Sequence, residues 1–461
     1  MSAPQDAAPA ASPLRDRKLL ASRFLWSIAS FGSSFGLRLA STVLLARLLD
    51  PHVLGVMVVI NALRYGVELL SDVGIEQNVV QHAKGAEPDF FNTAWTIQIL
   101  RGALLTAAFL ALAVPLGRLY EIEPQLLCAV ALAPLLNSAH STSIFLLVRN
   151  LAVRSRMLFE LSAELVGFAA TVLLVLVSPT AWSVVGGMLI GIGFRSLLSY
   201  RLPRPRHRLA LHRVHARDIL RFGGWMFLSS LLLFLSTNVD RLLLGKLAPL
   251  GMVGIYGIAR SISDVPGQVA GRLSYQLLLP LFAARRRDGA ALNLRDVAKA
   301  RLLFVLCGAL GLGTALAWSD LAIRILFDHR YQAAEWMLFA LLPGAWFSCL
   351  GNLNESVVLG SNRPDLNAAA NLARMAAILL GLPTGYWLAG LPGAIVAIVA
   401  GEVLRYLALA VLQTRLGVSF WRQDVLGTLA FVAVAAGWIA LRTRIGGDLP
   451  WVGFLTAWRQ S

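Results

Sequence analysis

Charge is scarce in this sequence. Asp, Glu, Lys and Arg together make up 14% of its 461 residues, where a soluble domain carries about 25%. The surface of a water-soluble fold this long cannot be made from so few charges. That excludes a soluble enzyme, a nucleic-acid-binding domain and a disordered scaffold. Lysine is nearly missing: Lys18, Lys84, Lys246 and Lys299 are the lysines, and the remaining basic residues are arginine. Cysteine is rarer still. Cys128, Cys307 and Cys349 stand singly inside apolar runs. Such a pattern makes neither a disulfide framework nor a metal site and reads as small hydrophobic packing. A G-x-x-x-x-G-K-S/T phosphate loop is also missing, so ATP hydrolysis by this chain is not expected. No cofactor and no metal is implied.

What is abundant is hydrocarbon. Residues of the set AVILMFWYC make up 57% of the chain, and mean hydropathy is +0.67. A membrane-spanning helix needs roughly 20 mostly apolar residues. Candidate spans fall at 24–46, 53–75, 92–117, 125–148, 157–178, 182–200, 222–245, 252–283, 300–319, 334–360, 368–388, 392–414 and 425–441. The expected fold is an all-α polytopic membrane protein. The gaps are short, about 20 residues at most, which leaves no space for a soluble catalytic domain on either side. The segment from Trp451 to Trp458 is too short to span and suits an interfacial position.

The net charge of +16 does not point to nucleic acid, because the basic residues sit in short tracts between apolar runs. Cytoplasmic loops of membrane proteins collect Lys and Arg. Residues 1–21, Ala/Pro/Ser-rich and then basic, read as a retained cytoplasmic tail rather than a secretory signal. With that end inside, the even-numbered gaps hold the arginines of 149–156, 201–221 and 285–301, together with Lys84, Arg363, Arg415 and Arg422. The odd-numbered gaps hold Arg47, Arg118, Lys246, Arg324 and Arg330. A missed helix mid-chain would scramble this alternation, so span count and charge support each other.

The basic tract 201–221 divides the chain into a six-helix unit at 22–200 and another at 222–416, followed by an extra helix and tail at 417–461. The two units resemble each other weakly. Leu44-Leu45-Ala46-Arg47-Leu48 precedes Pro51 and Gly55 in one; Leu243-Leu244-Gly245-Lys246-Leu247 precedes Pro249 and Gly254 in the other. Arg64 and Glu68 stand four apart on the helix after the first of these hairpins, as do Arg260 and Asp264 after the second. An even number of helices per unit makes the repeat parallel, and transporters built this way place their site between the halves near mid-membrane.

Several spans carry polar stripes at helical spacing. The first has Ser27, Ser30, Ser34, Arg38 and Ser41; the second Asn61, Arg64, Glu68 and Asp72; the eighth Tyr256, Arg260, Asp264, Gln268 and Arg272. Arg101, Asn352, Glu355, Glu402 and Arg405 add charge or polarity to other spans. A charge at bilayer depth costs at least about 2.5–3.5 kcal/mol and is kept for a protein interior or a watery cavity. One outcome is a cavity in which Arg38, Arg64, Arg101 and Arg260 meet phosphate oxygens, which guanidinium forks suit. The other is that Arg64–Glu68 and Arg260–Asp264 neutralise each other within a helix. Arg38 has no carboxylate at helical spacing on its own helix. Glu68, Asp264, Asp240, Glu355 and Glu402 are candidates for ion coupling or gating, or counter-charges to neighbouring arginines. Arg195 and Arg374, near cytoplasmic ends, are expected to snorkel. His140, in the polar run 137–143, is expected to be a helix-packing hydrogen bonder. Pro134, Pro266, Pro343 and Pro383 mark expected kinks.

Ala46-Arg47-Leu48-Leu49-Asp50-Pro51 with Leu54-Gly55 resembles the first hairpin of bacterial polysaccharide-biosynthesis membrane proteins. So do Phe222-Gly223, Asp240-Arg241-Leu242-Leu243-Leu244-Gly245 and Gly254-Ile255-Tyr256, and later Leu326-Phe327, Leu359-Gly360-Ser361-Asn362-Arg363 and Gly390-Leu391-Pro392-Gly393-Ala394. The family comprises the lipid-linked oligosaccharide flippases of the multidrug, oligosaccharidyl-lipid and polysaccharide exporter superfamily. The resemblance implies a V-shaped pair of six-helix bundles in the bacterial inner membrane. It implies alternating access, and as cargo a polyprenyl-pyrophosphate-linked glycan held against membrane lipid. A polysaccharide polymerase and export machinery are the implied partners, with no nucleic acid. A thirteenth segment departs from the superfamily's twelve- and fourteen-helix patterns. The rival readings are a multidrug cation antiporter, whose cavity should be acid-rich, and a membrane glycosyltransferase, polymerase or ligase.

Overall fold

The computed structural model describes residues 17–70, 74–82, 85, 87–150, 152–202, 207–288, 294–446 and 448–460. Asp72, Lys84, Arg204 and Arg206 lie outside them, as do the side chains of Ser27 and Ser30. Among the described residues the regular structure is helical, joined by short loops. In chain order the helices are α1 (Arg17–Leu48), α2 (Pro51–Leu70), α3 (Ile75–Gln81), α4 (Pro88–Tyr120), α5 (Pro124–Val130), α6 (Ala133–Ser138), α7 (Ser143–Arg149), α8 (Val153–Val177) and α9 (Ala181–Ser199). After the basic linker come α10 (Arg213–Leu247), α11 (Leu250–Asp288), α12 (Leu294–Ala317), α13 (Ser319–Leu326), α14 (Ala333–Gly360), α15 (Pro364–Thr414), α16 (Trp421–Arg444) and α17 (Val452–Gln460). Among the described residues eight helices are long and apolar enough to cross a membrane by themselves, or nine with a broken span counted. Each expected span coincides with a helix or a broken helix. The two spans expected at 368–388 and 392–414 are continuous in hydrogen bonding as α15 but break at Ala389 and Gly390, where φ of Gly390 is 52°.

The fourth span departs from expectation. It is not one kinked helix at Pro134 but three short ones, α5 to α7, bent by 56° between α6 and α7. The cause is local. Ser138–Ala139–His140–Ser141–Thr142 competes for backbone hydrogen bonds and ends the helix. In hydrocarbon each freed group needs a partner. Gln98 donates to the carbonyls of Ser138 (2.7 Å) and His140 (3.0 Å), Tyr200 donates to Ala139 (2.6 Å), and the Ser199 hydroxyl accepts from the Ser141 amide (2.7 Å). Neighbouring helices thus hold the break open.

The helices of the two halves meet mainly at α2, which crosses α10 and α11, and α10 also packs against α4 and α3. Gly55 and Gly254 make this crossing close. A Cβ on Gly55 would sit 1.7 Å from the Leu250 carbonyl, and one on Gly254 would sit 2.2 Å from that of Pro51. These glycines follow the two similar hairpin sequences, one in each half. Around them the first hairpin docks onto the second bundle. Arg47 donates to the Ile325 and Leu326 carbonyls (3.2 Å each), Arg330 to the Arg47 carbonyl (3.1 Å), and the buried Tyr331 hydroxyl to the Leu49 carbonyl (2.9 Å). The hairpin end of the molecule is therefore shut.

α16, outside the two six-helix units, is pinned to the second bundle at both ends. Asp424 pairs at 2.5 Å with Arg301, which is fully buried and also donates to Asn354 (2.8 Å). Arg442 pairs with Asp320. Arg301, counted above among loop charges, is in fact an internal tie. At the opposite end of the first bundle the linker is strapped onto α4. Asn92, Thr96 and Thr93 accept from the amides of Arg208 (3.1 Å), Ala210 (3.1 Å) and His212 (3.2 Å). His207 stacks on Phe91 and Trp95.

Two outcomes follow. Gly55→Val should wedge the hairpin end apart, so that a cysteine at Leu49, fully buried at that end, reacts several-fold faster with a water-soluble thiol reagent. Burial also pushes the His207 imidazole down to about 4 from its ordinary 6.5. Its neutral form stabilises the strap in full above about pH 6.5, and that stability is lost as pH falls through 4. Hydrogen exchange of the 207–212 amides should therefore accelerate across that window in the wild type and stay flat in His207→Phe.

Candidate functional site

Between the bundles lies a cavity of about 720 Å³. Its walls come from α1, α2, α8 and α9 on one side and α10 and α11 on the other. Its charged lining is Arg38, Arg195, Arg241, Glu160, Glu164 and Asp264. Arginines and carboxylates are equal in number, so the cavity is mixed in charge rather than cationic. Pairing decides which charges stay available. Arg195 forks onto Glu160 with two bonds of 2.9 Å, and Arg241 reaches Asp264 at 3.4 Å. Arg38 is exposed and lines the cavity, and neither it nor the exposed Glu164 has an ion pair among the described residues. Asn61, Ser34, Ser41 and Gln268 add neutral polar edges.

The four arginines expected to converge part company. Arg38 alone among them lines the central cavity. Arg64 is tied to Glu68 at 2.8 Å within α2. Arg101 donates to the Glu68 carbonyl (2.6 Å) and faces a second cavity of about 290 Å³ inside the first bundle. Arg260 is sealed within the second bundle at 7% exposure, between Asp264 (3.1 Å), Asp240 (3.5 Å) and Glu402 (3.7 Å). The physical reason is counter-charge. Three acids gather round Arg260, and solvation by carboxylates holds it in the core rather than in the cavity. The Asp240–Arg241 neighbours divide likewise. Successive residues on a helix point about 100° apart, so Asp240 turns to Tyr256 (2.5 Å) and Arg260, while Arg241 turns to the cavity.

Two arginines expected to snorkel do not. Arg195 lines the central cavity, and Arg374 is buried at 2.8 Å from Glu402. Asp240, Asp264 and Glu402 face Arg260, Arg374 and Arg241, a neutral set spanning α10, α11 and α15. Glu355 pairs with Arg405 (2.5 Å), whose other nitrogens donate to Asn371 (2.9 Å) and Asn352 (3.0 Å). The coupling candidates of the second half are thus all engaged as internal counter-ions. Glu160 and Glu164 were missed. Their signal was present, since Glu160, Glu164, Gly167 and Thr171 follow one another at three- and four-residue steps on one face of α8.

Comparison with known proteins decides the family. A family model described as "Polysaccharide biosynthesis protein" matches residues 44–335. The chain belongs to that family. It is 23% identical over 414 residues to the lipopolysaccharide biosynthesis protein WzxC of Escherichia coli, covering 87% of this chain and 81% of that one. It is 23% identical over 337 residues to the succinoglycan biosynthesis transport protein ExoT of Rhizobium meliloti, covering 72% and 67%. Among solved structures, the lipid II flippase MurJ in an inward closed conformation superposes with a TM-score of 0.72 at 14% identity, covering 94% of this chain and 95% of that one. An inward-facing multidrug resistance MATE transporter of the MOP superfamily reaches 0.62 at 15% identity, covering 87% and 95%. The fold of this family member is therefore the V-shaped, two-bundle architecture of a polytopic membrane protein.

The buried charge set makes a stability prediction. Glu402→Ala leaves Arg374 and Arg260 without a shared counter-ion and should cost about 3–5 kcal/mol. Adding Arg374→Met, which restores neutrality, should recover much of it. Thermal unfolding of the two variants in detergent measures both.

Proposed function

We propose that the protein moves a lipid-linked saccharide bearing a diphosphate across the bacterial inner membrane by alternating access, with the amino terminus in the cytoplasm. The observation that carries this reading is Arg38: an exposed guanidinium without an ion pair among the described residues, in a cavity between two bundles that are shut at the hairpin end. A guanidinium forks onto phosphate oxygens and cannot lose its charge. Family membership supports a polysaccharide precursor as cargo, and WzxC and ExoT are named for that kind of pathway.

The cargo's diphosphate meets Arg38, with Arg195 and Arg241 within the same lining. The Glu164 carboxylate accepts hydrogen bonds from sugar hydroxyls. The lipid tail stays in hydrocarbon while the bundles rock about the Gly55–Gly254 crossing. With the basic gaps inside, this reading has the shut hairpin end on the outer side. Arg260, Arg374, Asp240 and Glu402 are buried in the second bundle, and Asp264 joins them to the cavity wall. A multidrug cation antiporter finds less support here, since two of the three cavity carboxylates are already held by arginines.

Arg38→Ala should reduce surface-polysaccharide export by about tenfold or more, the loss of one charge-assisted phosphate contact worth about 1.5–3 kcal/mol. Arg38→Lys, a point charge without the fork, should retain part of it. Export scored in a null strain, with membrane protein levels matched, tests this. Undiminished export in Arg38→Ala overturns the assignment.

A further inference from the structure

The linker between α9 and α10 is rich in charge and also holds leucines outward. Residues 201–221 contain seven arginines and one acid, Asp218. Among them Leu209 is 75% exposed and Leu211 56%. Their surroundings are fixed. The strap is bonded to α4 through the amides of Arg208, Ala210 and His212, and His207 is stacked on Phe91 and Trp95. Leu209 and Leu211 lie between the bonded residues and stay exposed.

The level of the strap in the membrane follows from α4. Exposed large apolar residues run along that helix from Leu100 to Leu119, about 30 Å at 1.5 Å per residue, which is the thickness of the hydrocarbon core. The strap's partners Asn92, Thr93 and Thr96 lie roughly 6–12 Å before Leu100, at the level of the lipid headgroups. Ala210 bonds the deepest of them, Thr96 (3.1 Å), so the leucines that flank it stand next to the acyl chains. Arg208 and Arg213 stand on either side, with Arg217 one turn along α10 and Arg201 just past α9; all four are exposed. None of the four has an ion pair among the described residues, and Asp89 at the start of α4 turns to His212 (3.7 Å). Apolar side chains beside acyl chains and guanidinium groups at phosphate level fit one occupant by charge, an anionic phospholipid.

We propose that the strap is a binding site for an anionic phospholipid, with Leu209 and Leu211 among its acyl chains and Arg201, Arg208, Arg213 and Arg217 around its phosphate. The site is distinct from the cargo cavity, since none of these residues lines it. Its place in the inner leaflet rests on the proposed cytoplasmic amino terminus, while the lipid contact itself does not. The linker joins the two six-helix units, so a lipid held here acts where the halves are connected.

The test uses the full chain in nanodiscs, with Cys128, Cys307 and Cys349 replaced by alanine. Leu209→Cys, or Leu211→Cys if the first does not fold, carries an NBD fluorophore. The discs contain phosphatidylcholine and phosphatidylglycerol in equal amounts, with a nitroxide near the top of the acyl chain on the one lipid or the other. Both should quench the fluorophore, and the phosphatidylglycerol nitroxide about fivefold more effectively, the enrichment that one arginine at an anionic surface provides. Arg201→Gln, Arg208→Gln, Arg213→Gln and Arg217→Gln together should remove that excess. Absence of quenching by either lipid means that the leucines face water or another protein and overturns the proposal. Equal quenching by the two overturns it as well, and so does an excess that survives the four substitutions. Asp89→Cys, exposed at the same end, should react with a membrane-impermeant thiol reagent in inverted vesicles and not in intact spheroplasts. The reverse overturns the inner-leaflet placement and the proposed topology, while the quenching alone decides the lipid contact.

Discussion

A guanidinium in hydrocarbon must be given a counter-charge or water, and that requirement organises this molecule. Arginine does not escape by losing its proton, so each one at membrane depth is either matched by a carboxylate, bonded to carbonyls or left in a wet cavity. All three solutions are used. Arg260, Arg374, Arg301, Arg442 and Arg405 are matched inside the second bundle or at its edge. Arg149 caps α3 by donating to the carbonyls of Val79 (2.9 Å), Val80 (3.3 Å) and His82 (2.7 Å). Arg38 is left to the cavity.

The consequence is a division of labour between the halves. In the second bundle charges pair with one another across α10, α11, α14 and α15, and α16 is tied to it by ion pairs at both ends. The first bundle is tied differently. Its fourth span is broken and held by side chains of α4 and α9, and it contains a polar chamber. A rocking motion needs bodies that move as units and a contact between them. At the Gly55–Gly254 crossing the backbones touch, and along the rest of α2 Val58, Val59 and Phe234 pack against glycines of the facing helices.

The glycines that follow the two similar hairpin sequences, Gly55 and Gly254, pack against each other's helices, but the two Arg–acid pairs that come after them do not share surroundings. Arg64 stays with Glu68 alone, whereas Arg260 is surrounded by Asp264, Asp240 and Glu402, so equal sequence positions serve unequal surroundings.

Periodicity and composition by themselves determined the helices, their number within one or two breaks, and the membrane as solvent. These follow from local hydrophobicity and from the need of every backbone group in lipid to bond within its own segment. Helical phase also told which residues share a face. It could not tell what that face meets. Whether Arg38 or Arg260 sees the cavity, whether Arg195 snorkels or guards it, and whether Glu402 is available or spent depend on carboxylates contributed by other helices tens to hundreds of residues away. Only the tertiary packing brings those counter-charges within bonding distance, and electrostatic pairing at short range is what assigns each arginine its role.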